Sequence, residues 1–171
     1  MELNITTGVS KPEVFIEIGK YLDSLNLTAV AKDFERPWGG FFVIDESQAQ
    51  RFASIFFPHI EFSEIQLNRK LSPKILVVQP AKRLSWQYHH RRAEIWKVVS
   101  GEVGVVTSDT DAEGKLQRLS VDDIIELKQG ERHRLVGLDG WGILAEIWQH
   151  VDANNPSDEN DIVRVQDDFG R

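Results

Sequence analysis

The residues best suited to chemistry lie in one short stretch, SWQYHHRRAEIW (85–96), and at a histidine far along the chain. In a β-strand, side chains two residues apart point to the same face, so Gln87 and His89 are expected to share a face. Glu94 follows a short turn, and His133 comes just after the turn KQGER. Nitrogen and oxygen donors of this kind, converging inside a barrel, would suit a divalent transition metal. The sequence therefore predicts a metal site built from Gln87, His89, Glu94 and His133.

Positive charge surrounds the same stretch. Between Arg69 and Lys97 there are eight basic residues and one acid, Glu94, although the whole chain has 20 basic and 27 acidic residues and a formal charge of −7. A local excess of this kind would attract and orient an anionic ligand such as a sugar phosphate. The overall negative charge argues against general nucleic-acid binding, which depends on neutralising many phosphates. We therefore expect an anionic small molecule as the partner, and no nucleic acid.

Length and composition narrow the other possibilities. The 171 residues suffice for one domain with a substantial core. Because the chain has no cysteine, a metal must be held by nitrogen and oxygen ligands. The N-terminal stretch lacks the pattern of a secretion signal, and no apolar run approaches the roughly 20 residues that span a bilayer. We expect a cytoplasmic protein with no membrane partner.

Two helices and a series of short strands are expected to position these groups. Ser10 and Glu13 form a capping-box pattern ahead of apolar residues at helical spacing, and a second helical stretch covers 47–57. From about Lys70 the chain consists of short β-type runs bounded by glycine or aspartate, which predicts an antiparallel sandwich or barrel. The apolar residues of the closing DIVRVQDDFGR predict that the tail docks back on the body.

The spacing of the ligand candidates resembles the cupin signature, in which a first motif supplies three ligands and a second supplies the fourth. Here the first motif is QYHHRRAEIWKVVSG and the second is DDIIELKQGERH. Three separated motifs sharpen the resemblance: RPWGGF (36–41), LSWQYHHRRAEIWKVVSG (84–101) and NDIVRVQDDFGR (160–171). Together they look like the type II mannose-6-phosphate isomerase cupin, which also forms the C-terminal part of bifunctional guanylyltransferase–isomerases. No stretch resembles the glycine-rich nucleotide loop of the guanylyltransferase, so nucleotide-sugar synthesis by this chain alone is not expected.

The resemblance implies an all-β fold, the cupin double-stranded β-helix or jelly roll. Residues 34–171 would form the cupin domain, with a short helical insertion, and residues 1–33 an N-terminal helical extension packed on the barrel. The long apolar β-runs are compatible with a homodimer that pairs through edge strands.

The resemblance also implies residue roles beyond the four ligands. The residues expected to act on the substrate are Glu146, Asp161 and Arg164, and those expected to bind it are Lys74, Arg92, Trp38 and Arg171. Glu146 and Asp161 are both candidates for the general base, and the sequence does not choose between them. For the metal, zinc is expected first, while the ligand set also accepts manganese, cobalt, iron or nickel.

The activity that the resemblance implies is metal-dependent isomerisation of mannose 6-phosphate to fructose 6-phosphate through an enediol. Two alternatives stay open. One is a metal-containing cupin that binds a sugar or sugar phosphate without converting it, and the other is an isomerase or epimerase of another phosphorylated sugar. The first alternative is motivated by Arg91 and Ile95, which stand where the family usually carries histidines.

Overall fold

The structure is a computed structural model that describes residues 2–61 and 70–171. Within these residues the two helices are α1, Lys11–Ser24, and α2, Ala49–Phe56, the latter preceded by a 3₁₀ turn at Glu46–Gln48. The strands are β1 Ala29–Asp33, β2 Gly39–Ile44, β3 Lys74–Val78, β4 Trp86–Tyr88, β5 Arg92–Ser100, β6 Val103–Ser108, β7 Leu116–Leu119, β8 Ile124–Leu127, β9 Arg132–Gly137, β10 Gly142–His150 and β11 Val163–Gln166.

The local signals of the sequence form the expected elements. The capping box at the start of α1 is present, with Ser10 and Glu13 bonded to each other, and the apolar face of the helix is buried. The turn between β5 and β6 is made at Gly101, whose φ is 76° and where a Cβ would collide with the carbonyl oxygen of Trp141. A side chain at this position would therefore be strained both by its backbone conformation and by its neighbour.

The strands form two antiparallel sheets that face each other. In the described residues one sheet has the order β1-β2-β3-β10-β5-β8 and the other has the order β11-β4-β9-β6-β7. This is the all-β barrel predicted from the sequence, with the N-terminal helix and the short helical insertion that were expected. The closing strand β11 pairs with β4, which confirms that the tail docks on the body.

The N-terminal segment contributes to the barrel in two ways. Val14, Phe15 and Ile18 of α1 join an apolar cluster with the outer face of the larger sheet. β1 extends the same sheet by pairing with β2. The division of the chain into an extension, 1–33, and a cupin domain stays a prediction. Among the described residues, no helix combines the length and apolar character needed to cross a membrane.

The two faces of the larger sheet are very different. On β3, β5 and β10, residues at alternate positions pack outward against α1 and α2, among them Ile75, Ile95 and Ile147. The residues between them point into the barrel, where polar and aromatic side chains border a cavity. The period-two alternation of the strands therefore decides which residues can reach the site.

Candidate metal centre

The two sequence motifs meet at one position of a strand pair. Gln87 on β4 is the direct partner of His133 on β9, although the two lie far apart in the chain. His89 follows directly after β4, while Glu94 lies on β5 in the facing sheet. The cluster therefore bridges the two sheets inside the barrel.

Three of the four predicted ligands come together. His89, Glu94 and His133 each offer a ligand atom within 4.8 Å of the others, and each is only 2% exposed. His89 Nε2 lies 3.1 Å from Glu94 Oε1, and His133 Nε2 lies 3.5 Å from Glu94 Oε2. The group could hold a metal ion, as the sequence predicts for these three residues.

Backbone carbonyls fix the orientation of both imidazoles. His89 Nδ1 lies 2.6 Å from the carbonyl oxygen of Asp161, and His133 Nδ1 lies 3.0 Å from that of Glu131. Because a carbonyl only accepts, each Nδ1 is the donor, and each ring turns its Nε2 toward Glu94. This is the arrangement by which a second hydrogen bond sets the tautomer of a metal-binding histidine.

The charge state of the cluster also fits a cation. Burial lowers the pKa of His133 to about 4, even though the neighbouring Glu94 acts to raise it. Burial acts to raise the pKa of Glu94, but His89, Arg92 and His133 outweigh it and hold that pKa well below its usual range. At neutral pH a neutral imidazole thus faces a carboxylate. In the described part of the chain, His133 Nε2 and Glu94 Oε2 have no hydrogen-bond partner, so two buried electron-pair donors are left for a divalent ion.

Gln87 lies beside the cluster, but its amide is turned. Its Oε1 accepts a hydrogen bond from Ser85 Oγ at 2.5 Å, and its Nε2 lies 3.5 Å from His89 Nε2. An amide coordinates a metal through oxygen, so ligation requires the opposite orientation of this side chain. Gln87 as the fourth ligand stays a prediction.

A cavity of about 450 Å³ opens beside the cluster. Its lining contains most of the residues predicted for the site, namely Trp38, Lys74, Gln87, Arg92, Glu94, Glu146, Arg164 and Arg171. It also contains Arg36, Trp96, Trp148 and Glu159, which the sequence reasoning did not single out. Arg69, counted in the basic stretch, lies outside the described residues.

Glu146 is a buried carboxyl group in this lining. The indole N–H of Trp96 donates to one of its oxygens at 2.8 Å, and that of Trp148 donates to the other at 2.9 Å. Burial and the nearby charge of Glu94 raise the pKa of Glu146 to about 8, against the opposing effect of Lys74 and Arg92. The two tryptophans could have been found from the sequence, because each lies two residues after a glutamate of the site, at Glu94 and Glu146.

Asp161 lies behind the cluster rather than in the lining. Its carboxylate accepts hydrogen bonds from the backbone N–H groups of His90 and Arg91 and from Ser157 Oγ. Burial acts to raise the pKa of Asp161, but these hydrogen bonds outweigh it and the pKa is lowered. These contacts favour a positioning role, in which the residue fixes the turn after β4 and, through its carbonyl, the ring of His89. Its predicted role as a base stays a prediction.

The predicted cationic residues occupy two depths. Lys74 is buried, with Nζ 4.2 Å from the ring centroid of Trp148 and paired with Glu159. Arg92 is buried beside Glu94. Arg164 and Arg171 are at the exposed mouth, where Arg171 pairs with Asp167.

The two departures from the family pattern point away from the ligand cluster. Ile95 packs on the outer face of the sheet, in the apolar cluster that includes α1 and α2. Arg91 is partly exposed and pairs with Asp158 and, at 3.8 Å, with Asp161. Neither residue is among the three groups that could hold a metal.

Similarity to known proteins agrees with this geometry. Residues 45–167 match the model of the protein family described as "Mannose-6-phosphate isomerase C-terminal". The xanthan biosynthesis protein XanB of Xanthomonas campestris is 30% identical over 125 residues, which are 73% of this chain and 25% of that protein. The alginate biosynthesis protein AlgA of Pseudomonas aeruginosa is 30% identical over 73% of this chain and 24% of its own length.

A third relative is the mannose-1-phosphate guanylyltransferase ManC of Salmonella typhimurium, which is 28% identical over 68% of this chain and 23% of its own length. The chain thus spans about a quarter of the length of these relatives. Among solved structures, vicilin from hazelnut, Corylus avellana, superposes with a TM-score of 0.55 at 14% identity, over 81% of this chain and 36% of that one. This likeness shows the fold alone.

Proposed function

This chain belongs to the mannose-6-phosphate isomerase C-terminal family, and from that premise we propose that it is a metal-dependent isomerase of a phosphorylated sugar. The expected conversion is mannose 6-phosphate to fructose 6-phosphate. The observation that carries the proposal is the cavity in which Glu146, a carboxyl group with a pKa near 8, lies beside the cluster of His89, Glu94 and His133. A carboxyl group with a pKa near neutrality, next to a candidate metal site, suits the proton transfers of an aldose–ketose isomerisation.

His89, Glu94 and His133 would hold the metal, with Gln87 as the predicted fourth ligand and zinc as the first expectation. When bound, the metal supplies Lewis-acid stabilisation of negative charge on the sugar oxygens. Manganese, cobalt, iron and nickel stay open, because the nitrogen and oxygen ligand set accepts each of them.

Glu146 is the proposed general base. In its ionised form it removes the proton from C2 of the aldose, which leaves an enediolate with negative charge on O1. O1 then takes the proton of the C2 hydroxyl through the enediol, and protonated Glu146 returns its proton to C1, which gives the ketose. The two indole N–H groups hold its oxygens in one orientation in the cavity wall. A pKa within about a unit of neutral pH lets one carboxyl group both take and return a proton efficiently.

The cationic residues are proposed to bind the phosphate. Arg164 and Arg171 at the mouth, with Lys74 deeper in the wall, provide positive charge at two depths of the cavity. Guanidinium groups match the oxygens of a phosphate geometrically as well as by charge. Trp38, also in the lining, is proposed to pack against the sugar.

A non-catalytic cupin that binds a sugar phosphate is the second candidate. It is favoured by Arg92, whose guanidinium neutralises Glu94 in the way that a metal otherwise would. An isomerase or epimerase of another phosphorylated sugar is a third, because the proposed contacts recognise a phosphate and neighbouring oxygens rather than a chain length. A homodimer remains a prediction.

The test is turnover by the purified, chelator-treated protein after addition of zinc, cobalt or manganese. The substrates are mannose 6-phosphate and a small panel of pentose and heptose phosphates. Glu94→Gln keeps the shape of the side chain but removes its charge, and we expect it to abolish turnover. Glu126→Gln, an exposed carboxylate on the adjacent strand β8, is the matched control and should behave as the wild type.

Each result separates the candidates. Full turnover in Glu94→Gln would overturn the metal-dependent proposal. Calorimetric binding of a sugar phosphate without conversion of any member of the panel would favour the non-catalytic cupin. Turnover of a pentose or heptose phosphate alone would favour the third candidate.

A further inference from the structure

Arg92 places a positive charge inside the ligand cluster. Its Nε donates to Glu94 Oε1 at 2.7 Å, and its Nη2 lies 3.2 Å from His89 Nε2. The residue is only 5% exposed, so this charge is held at the cluster and not in solvent. One guanidinium thus contacts two of the three groups that could hold a metal.

The contact with His89 takes the electron pair that a metal needs. A guanidinium nitrogen can only donate, so in this contact Arg92 Nη2 is the donor and His89 Nε2 is the acceptor. A metal bound to His89 Nε2 requires that hydrogen bond to break. The bond to Glu94 Oε1 involves the other carboxylate oxygen, since Glu94 Oε2 is the one left without a partner in the described residues.

The same guanidinium extends to the loop 151–162 that joins β10 to β11. Its Nη1 donates to Ser157 Oγ at 2.8 Å and to the carbonyl oxygen of Asp158 at 3.1 Å. Its Cζ lies over the ring of Trp148, 3.7 Å from the centroid. This loop also carries Glu159, which pairs with Lys74 in the cavity wall. Arg92 therefore links the ligand cluster to the segment that borders the substrate cavity.

We propose that Arg92 is an internal cation that a divalent metal must displace from His89, and that it thereby sets the metal affinity and couples metal binding to the loop 151–162. The proposal goes beyond the isomerase activity and does not depend on it, because it concerns the metal and the protein alone. By linkage, whatever loosens the hold of Arg92 on His89 tightens metal binding, and metal binding loosens the contacts of Arg92 with the loop.

The experiment is calorimetric titration of the chelator-treated protein with manganese and with zinc, in the absence of sugar. Arg92→Gln removes the competing charge, and we expect it to tighten metal binding by at least about tenfold, since hydrogen bonds from charged donors are the stronger kind. Arg92→Lys keeps the charge but has a single nitrogen, which cannot contact Glu94 and His89 as a fork does, so an intermediate affinity is expected. Arg118→Gln, an exposed arginine on β7 with the same change of charge, should leave the affinity unchanged.

A second measurement follows the loop itself. Hydrogen exchange read by mass spectrometry on the peptide that covers 157–161 should speed up when metal is added to the wild type. In Arg92→Gln the exchange should be fast from the start and insensitive to metal. If Arg92 had only a structural role, metal would change the exchange rate of this peptide equally in the wild type and in Arg92→Gln.

The outcomes are separable from those of the proposed function. Equal or weaker metal binding by a folded Arg92→Gln, as judged by circular dichroism, overturns the proposal, and so does an absence of binding in both proteins. If Arg92→Gln does not fold, Arg92→Lys decides, and an affinity no tighter than the wild type overturns it. Tighter binding in the variants without any sugar turnover in the wild type would support this inference while the isomerase proposal fails.

Discussion

The outer and inner faces of the larger sheet are built from the same strands and yet have opposite roles. On the outer face, Ile95, Ile143 and Ile147 pack with α1 and α2 in an apolar cluster. On the inner face, the neighbouring positions carry Glu94 and Glu146, which are buried carboxyl groups. One residue along a strand therefore separates a contact that stabilises the fold from a group that is costly to bury.

The inner face contributes less to the free energy of unfolding than the outer face does, because its buried side chains are ionisable. Burying an apolar side chain contributes roughly 1.5 to 3 kcal/mol, whereas burying a carboxylate is unfavourable unless it is paired. Glu94 is paired with Arg92, and Glu146 is held by two indole N–H groups. The free-energy cost of burying these carboxyl groups is thus offset by their hydrogen-bond partners and by the apolar side chains packed on the outer face.

The largest effect is expected from Glu146→Gln on the inner face. An amide cannot take the proton, so kcat with mannose 6-phosphate should fall by about 10² to 10⁴, the range typical for loss of a general acid or base. At pH 4.5, below the range in which the raised pKa of Glu146 lowers the stability of the wild type, the free energy of unfolding should decrease by about 1 to 3 kcal/mol, because the amide NH₂ faces an indole N–H that had an acceptor. Steady-state kinetics and denaturant unfolding of the same preparation measure both.

Ile147→Ala, one residue along the same strand, should show the reverse. Deleting most of a buried aliphatic side chain from the outer cluster is expected to lower the free energy of unfolding by about 2 to 5 kcal/mol. The kcat per folded molecule should stay that of the wild type, because Ile147 points away from the cavity. A variant at position 147 that loses kcat while folded, or one at 146 that keeps it, would mean that the two faces are not functionally separate.

The sequence is sufficient to predict that His89, Glu94 and His133 lie together, and for one reason. Alternation along a strand and motif spacing are local patterns, and they are sufficient to assign His89, Glu94 and His133 to a common interior. The same alternation explains why Ile95 stands outside the site even though it directly follows a ligand.

Contacts made between distant segments are not predictable in this way. Whether Arg92 faces the phosphate or Glu94 depends on where the loop 151–162 lies, and spacing within 85–96 carries no information about that loop. Arg134 is a second case, since it is fully buried and donates to the carbonyl oxygens of Leu84 and Gln166. An arginine in a strand is expected to be exposed unless the partners that satisfy it are known.

A smaller effect should appear in the pH dependence of the metal-free protein. The pKa of Glu146 is raised from 4.5 to about 8 by burial and by Glu94, so between these values the folded state keeps a proton that the unfolded chain has lost. The contribution of Glu146 to the free energy of unfolding is therefore fully present below about pH 4.5 and is lost as the pH rises through 8. His133 and His150 act in the other direction, because burial lowers their pKa values from 6.5 to about 4, and their contribution is lost as the pH falls below 6.5.

Between pH 6.5 and 8, Glu146 is the one of these three groups whose protonation differs between the folded and the unfolded state. We expect the thermal midpoint of the chelator-treated wild type to decline across it, and the midpoint of Glu146→Gln to stay level, as measured by differential scanning calorimetry. Ile147→Ala, on the outer face, should keep the decline at a lower midpoint. Parallel curves for the wild type and Glu146→Gln would show that the inner carboxyl group is not the source of the slope.

The smallest effect is expected at the rim of the inner face, where Glu159 pairs with Lys74. The carboxylate of Glu159 is 62% exposed and occupies the ammonium group that we expect to bind phosphate, so an anionic substrate has to replace it. Exposed ion pairs contribute about 0 to 1 kcal/mol, which limits the gain in affinity from Glu159→Gln to about fivefold.

KM for the sugar phosphate should fall by up to that factor, while Asp122→Asn, which removes an exposed partner of Lys97, should leave KM unchanged. Because Glu159 touches Lys74 and not the ligand cluster, kcat should stay constant in both variants, and a lower kcat in Glu159→Gln would place this residue in the chemistry rather than at the entrance.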